Sequence, residues 1–329
     1  MSATPLVRVF LCLLALAAPA AADEHDHSSM TAEPLGKVHF PVSCAAAQQP
    51  AFDRAVALLH SFGYERAEAA FNAIVQAEPT CGMAYWGVAM TNFHEVWGPP
   101  SPAELDRGRA AAEKAAALSS PDARERAWIA AIGSFYIETS PRTHPERVQA
   151  YARSMASLAA QFPADSEAQI FDALAMLAVA YNSPPDKTYA RQKKAAARLQ
   201  TLLAQQPEHP GIAHYMIHSF DYPALAPLAL DAARAYAKIA PASPHALHMP
   251  SHIFTRLGLW QDSITSNLAS AETAARLVEQ SHPGATAFDG LHAMDYLEYA
   301  YLQLARDDEA RGIVERAAAA KSFDSPSFA

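Results

Sequence analysis

The chain has 329 residues, with 12 glycines against 24 prolines and a 51% hydrophobic content in which alanine is prominent. This composition suits close-packed helices better than a sheet, and the length accommodates one or two domains. A formal net charge of −9 provides no basic surface to neutralise phosphates, which argues against nucleic acid and anionic membrane as partners.

Arg8 precedes an apolar run from Val9 to Ala18, a break at Pro19 and the small residues Ala20, Ala21 and Ala22. A positive start, a short apolar stretch and an A-x-A site together predict a secretory signal peptide over residues 1–22, cleaved after Ala22. The run is too short for a permanent span and no other stretch resembles one, so the expectation is an exported protein, periplasmic or secreted, and not an integral membrane protein. Removal of Cys12 leaves Cys44 and Cys81, which an oxidising compartment would join as a disulfide, the alternative being two buried thiols.

Residues 23–50 then form an expected flexible leader that starts DEHDHSSM. With the new amine at Asp23, His25 occupies the third position. There an amine, two amides and an imidazole can surround a Cu(II) or Ni(II) ion in a plane, with His27 as a further donor. The competing reading is a leader that is merely polar.

From Ala51 the pattern becomes helical and paired. Ala51 to Phe62 and Glu65 to Ala77 are separated by a Gly63-Tyr64 turn. Cys81 to Phe93 pairs with a helix beginning at Ala103, Asp122 to Ile137 with His144 to Phe162, and Ser166 to Tyr181 with Asp186 to Gln206. His209 to Phe220 pairs with Ala224 to Ile239, Pro244 to Leu257 with Gln261 to Glu279, and Ala287 to Leu304 with Asp307 to Ala320. Prolines punctuate many of the connections, where they halt a helix and fix a turn.

The pattern Ala67-x3-Phe71-x7-Pro79 and the small residues where paired helices meet resemble the tetratricopeptide repeat (TPR) family, from about Ala51 to Ala320. The motifs CGMAYWG, HYMIHSFDYP, HALHMPSHIFTRLGLW and LHAMDYLEYAYLQ are similar to those of a subgroup of exported bacterial repeat proteins with no firm activity attached. The resemblance implies an all-α fold: a right-handed α-solenoid of about seven TPR-like helical hairpins over residues 51–320, followed by a flexible tail over 321–329. In such a stack the first helix of each pair lines the concave side.

Within that frame the histidines fall into register. Aligned on Ala229, Ser263 and Ala310, the position fifteen residues earlier holds His214, His248 and Asp295, and the position eleven earlier holds His218, His252 and Tyr299. The position eighteen earlier holds Gly211, His245 and His292. Offsets of three and four share one helical face. His214, His218, His245, His248, His252, His292 and Asp295 are therefore expected to line neighbouring rungs of one groove as metal donors, with Glu298 leaving the last register open by one position. Neutral imidazoles suit a late transition metal such as copper, zinc or iron, and the shortage of clustered carboxylates argues against calcium or magnesium.

Trp86, Asn92, His94 and Glu95 are expected to form a ligand pocket toward the other end of the groove. His60 reads as a cap or a partly buried, satisfied histidine. Asp221, Tyr222, Asp289 and Tyr296 flank the histidine-bearing helices. The chain has no H-E-x-x-H, G-x-S-x-G, phosphate-binding Gly-rich loop or C-x-x-C motif. Three readings stand at this point: a metal-binding groove for metal handling or redox work, an interaction scaffold taking a protein or peptide segment, and a metal-dependent enzyme.

Overall fold

Helix starts in this chain are set by short polar side chains and by proline. Ser101 and Glu104 form a reciprocal capping box, as do Thr143 and Glu146, while Asp122, Asp165 and Ser243 each accept a backbone N–H from the first turn they precede. These contacts satisfy amides that a helix leaves without an internal partner. The computed structural model describes residues 33–137 and 141–324. The expected signal peptide, its cleavage site after Ala22, and His25 and His27 lie outside the described residues, as do positions 325–329 of the tail.

The described residues form α1 (Gln49–His60), α2 (Tyr64–Ala77), α3 (Gly82–Thr91), α4 (Pro102–Ala117), α5 (Ala123–Tyr136), α6 (His144–Gln161), α7 (Ser166–Tyr181) and α8 (Ala190–Leu203). They continue with α9 (Pro210–Phe220), α10 (Leu230–Ile239), α11 (Pro244–His248), α12 (Pro250–Arg256), α13 (Trp260–Ser281), α14 (Phe288–Gln303) and α15 (Asp307–Ala318). No strand forms among the described residues; an isolated bridge joins Thr286 to Phe323. No helix among them is long and apolar enough to cross a membrane.

The expected helix Pro244 to Leu257 is interrupted at Pro250, whose ring nitrogen has no hydrogen to donate. Met249, between α11 and α12, keeps right-handed helical angles (φ −53°, ψ −33°). Helix α10 begins later than expected because Ala226–Ala229 forms a 3-10 turn first.

Most consecutive helices pack on one another, and the cores follow from the small residues between them. Gly87 on α3 is one such point: a Cβ there would run into the Phe71 ring of α2. One hydrophobic cluster extends from Leu35 to Phe254, and a smaller one gathers Ile264, Leu297, Ala300, Tyr301, Ala310 and Ile313. Helix α1 also packs against α9, far along the chain. A strictly one-dimensional stack, in which each repeat touches only its neighbours, would not make that contact.

Part of the expected flexible leader proves to be packed. Phe40 is fully buried against Phe52, Trp86 and Trp128, its N–H donates to Asp53, and the Ser43 side chain and N–H donate to Glu125. Cys44 and Cys81 are joined as a disulfide with Cα atoms 5.1 Å apart, which ties this segment to the start of α3. The described part of the tail is also held, since Ser322 accepts from Thr286 N–H and Asp324 accepts from Phe288 N–H.

Candidate metal centre

Histidines on four helices converge. His214 and His218 are one turn apart on α9, His245 and His248 are three apart on α11, His252 follows on α12, and His292 enters from α14. They assemble as two triads, His214–His218–His245 and His248–His252–His292. In each, one ligand-capable atom per residue lies within 4.8 Å of the others. The first triad is buried; in the second, His248 is buried while His252 and His292 are half-buried.

The ring nitrogens face one another. His214 Nε2 lies 3.0 Å from Nε2 of both His218 and His245, and His248 Nε2 lies 3.0 Å from His252 Nε2. Bonds of 2.0–2.1 Å to a tetrahedral zinc ion would place two ligand nitrogens about 3.3 Å apart, close to the observed spacing.

The opposite ring nitrogens are engaged by acceptors, and this assigns the tautomers. His214 Nδ1 is 2.6 Å from the His60 carbonyl oxygen, which can only accept. His248 Nδ1 is 2.6 Å from Asn267 Oδ1, and the Asn267 amide is oriented by its own donation to the Ser263 carbonyl. His252 Nδ1 is 2.9 Å from Asp221 Oδ2, whose other oxygen accepts from Arg256. Each of these rings therefore carries a proton on Nδ1 and turns its Nε2 toward a neighbouring histidine, the arrangement by which outer partners orient metal-binding imidazoles.

The surroundings favour the neutral form of His214, His218, His245, His248 and His292. Burial pushes the pKa values of His214, His245 and His248 well below the usual range and that of His218 down to about 3, and the neighbouring histidines add to each effect. Burial, then the charge of His252, lowers His292. Burial would raise Asp221, but its bonds to His252 and Arg256 outweigh that and hold it low, so it stays an ionised acceptor. Phe62 lies against His214, His218 and His245, Tyr236 stacks on His214, and Tyr296 packs on His248, His252 and His292. This aromatic wall limits water around neutral donors.

Behind the first triad lies a third group that the sequence did not reveal as a unit. Glu167 accepts from His60 Nε2 and His209 Nε2, both at 2.9 Å, and His60 Nδ1 is 2.9 Å from the Tyr215 hydroxyl. All three residues are buried, and His60, expected as an isolated capping or core residue, links this group through its carbonyl to His214. Burial would raise Glu167, yet His209 and His60 outweigh it and hold the carboxyl below its usual range. These three residues could also hold an ion.

Other expected positions fall elsewhere. Asp295 is exposed and belongs to neither triad; the next residue, Tyr296, faces the histidines instead. Trp86 lines no groove, being fully buried among Phe40, Phe52, Trp128 and Phe171. Asn92 is buried, donating to the Val88 carbonyl and accepting from Arg107. His94 has a left-handed backbone (φ 55°), lies 4.6 Å from the Tyr64 ring and sits 4.0 Å from Glu104. Glu95 is buried beside Tyr64, its Oε1 without a hydrogen-bond partner, and burial pushes its pKa up to about 7. The expected open pocket at these four residues is therefore a packed interior, because α1–α3 and the leader segment close over it.

The histidine roles missed by sequence are supplied by Asn267, Asp221, Glu167 and His209. Asp221 alone carried a signal, through its position at the end of α9. No family model matches the chain, and no curated protein matches it.

Proposed function

We propose that this chain is an exported, TPR-like α-solenoid protein that binds transition-metal ions, copper, zinc or iron, through its two histidine triads, in metal handling or redox work. The observation that carries the reading is the pair of facing nitrogens of His248 and His252. Each ring turns its Nδ1 to an acceptor and its Nε2 to the other ring, so the two Nε2 atoms meet at 3.0 Å, the spacing of two nitrogens on one tetrahedral ion. A metal ion held by both Nε2 atoms would make one bond to each ring while the acceptors at Nδ1 keep the rings oriented. The His214 cluster repeats the arrangement, with one Nε2 facing two further nitrogens.

The all-helical fold and the paired-helix motifs support the repeat reading, and the Cys44–Cys81 bond suits an oxidising compartment. Burial of His214, His218, His245 and His248 favours metal over a peptide-lined groove, since a passing peptide would not reach those rings.

The test is elemental analysis of protein stripped with chelator and re-equilibrated with Cu(II), Zn(II) or Fe(II). A His25→Ala/His27→Ala background keeps the leader from contributing. The expected result is retention of up to two ions per chain, one fewer in His214→Ala and one fewer in His248→Ala. A chain that retains none of the three metals overturns the reading.

A further inference from the structure

The two triads share a helix. His245 completes the first and His248 belongs to the second, yet they are three residues apart on α11 with ring centroids 6.3 Å apart. On the far side, the His218 ring is stacked over His245 at 6.4 Å, and His252 and His292 lie 4.9 and 4.5 Å from His248. Six imidazoles thus form one continuous patch that divides into two donor sets. Ions bound about 2 Å from their ring nitrogens would therefore be neighbours across the His245–His248 step.

The charge balance points to what lies between them. Every donor in both triads is an imidazole, which brings no negative charge to an ion, and Asp295, the carboxylate that could have entered, is exposed and outside both sets. Asp221, which touches the second triad through His252, is already paired with Arg256. Two divalent ions would therefore bring four positive charges into a largely buried space with little compensation, an arrangement that favours an anion between them. Three protein donors also leave a four-coordinate ion one open position. The half-buried rings of His252 and His292 provide the side from which a small species can enter.

We infer that the two triads act as a single dinuclear centre whose ions share a small bridging anion, of the class of hydroxide or azide, admitted beside His252 and His292. This rests on the metal binding proposed above. The two ideas separate in one experiment, because binding of metal and interaction between metals are read independently.

The His25→Ala/His27→Ala protein is titrated with Cu(II), which imidazole sites bind more tightly than other divalent first-row ions, and followed by electron paramagnetic resonance with spin integration. The expected result is two copper ions per chain, an integrated signal clearly below two spins or a half-field transition at two equivalents, and one azide bound per two copper ions. In His292→Ala, which alters a half-buried ring, one copper is expected with an ordinary one-spin signal. Two copper ions with two full, unbroadened spins overturn the dinuclear centre while leaving metal binding intact, as does a single copper per wild-type chain. Absence of copper binding overturns the inference; if zinc and iron also fail to bind, the metal reading falls with it. The decisive measurement uses unmodified triads, so poor folding of a variant does not affect it.

Discussion

The carbonyl oxygen of His60 accepts the Nδ1 proton of His214, 154 residues further along the chain, at 2.6 Å. Through this bond the end of α1 sets the tautomer of a histidine on α9. The same α1 residue is held by Glu167 on α7 and Tyr215 on α9.

Gly211 makes that approach feasible, since a Cβ at this position would lie 2.5 Å from His60 Nδ1. Gly211→Ala is expected to displace the His60 ring and cost about 1–3 kcal/mol, the usual range for overpacking a tight interior. Denaturant unfolding measures that loss. Metal titration of the same variant should show weaker binding at the first triad and unchanged binding at the second; equal weakening at both would mean that His60 does not orient His214 specifically.

Asp221 performs the corresponding role for the second triad by accepting from His252 Nδ1. Asp221→Asn replaces a carboxylate with a weaker acceptor that can also turn a donor toward the ring. Outer partners of this kind are worth roughly 10- to 100-fold in metal affinity. A loss of that size confined to one of two binding steps is expected in calorimetric titration, and an unchanged isotherm would remove Asp221 from the site.

Acid should unfold the metal-free protein through its histidines. His60, His214, His218, His245, His248 and His292 have folded pKa values below 6.5, so below that pH the unfolded chain takes up protons that the folded chain refuses. Stability is then complete above pH 6.5 and falls as pH drops, by roughly 1.4 kcal/mol per pH unit for each fully buried ring until its folded pKa is reached. For His218 that window runs from 6.5 down to about 3. Glu95 works in the opposite direction. Its folded pKa is raised to about 7, so the stability it contributes is complete below pH 4.5 and is lost as pH rises toward 7. Melting temperatures should therefore rise steeply from pH 4 to about 6.5 and level off above it, and Glu95→Gln should raise stability at pH 8 more than at pH 4. A melting temperature independent of pH below 6.5 would show that the rings are not buried and neutral.

The Cys44–Cys81 bond closes a loop of 37 residues in sequence separation. Restricting a loop of that size in the unfolded chain is worth roughly 3–4 kcal/mol. Reduction, or Cys44→Ser with Cys81→Ser, is expected to lower the denaturation midpoint accordingly. A midpoint indifferent to reductant would indicate that Phe40 and Ser43 already hold the segment without the bond.

Helix positions were largely legible in the sequence because their signals are local. Ser101, Thr143 and Asp165 act within one turn of where they sit, and proline placements account for most of the turns. The single exception on the histidine-bearing segment, the break at Pro250, is also local in cause, although it leaves the donors on one face. The i, i+4 pairs His214–His218 and His248–His252 were readable for the same reason.

The last helix shows where that reading stops. Adjacent helical positions differ by about 100° in direction, so an uncertainty of one residue in the register of α14 exchanged Asp295, which is exposed, for Tyr296, which packs on the triad. The Trp86 to Glu95 segment shows a second limit. Its residues suit a pocket by type, and only the packing of Phe40, Phe52 and Tyr64 over them makes the region interior.

The sequence by itself determined an all-helical chain, the helices that carry histidines, and the turn-to-turn spacing that aligns each pair. The tertiary structure decided that six histidines divide into two sets of three, that His60 and Asn267 orient them, and that Asp295 is left out. Local pattern fixes what lies within a turn or two of a residue. A ligand set drawn from α9, α11, α12 and α14, and oriented by α1 and α13, depends on how separate helices rotate and close on one another, which packing of the whole core settles.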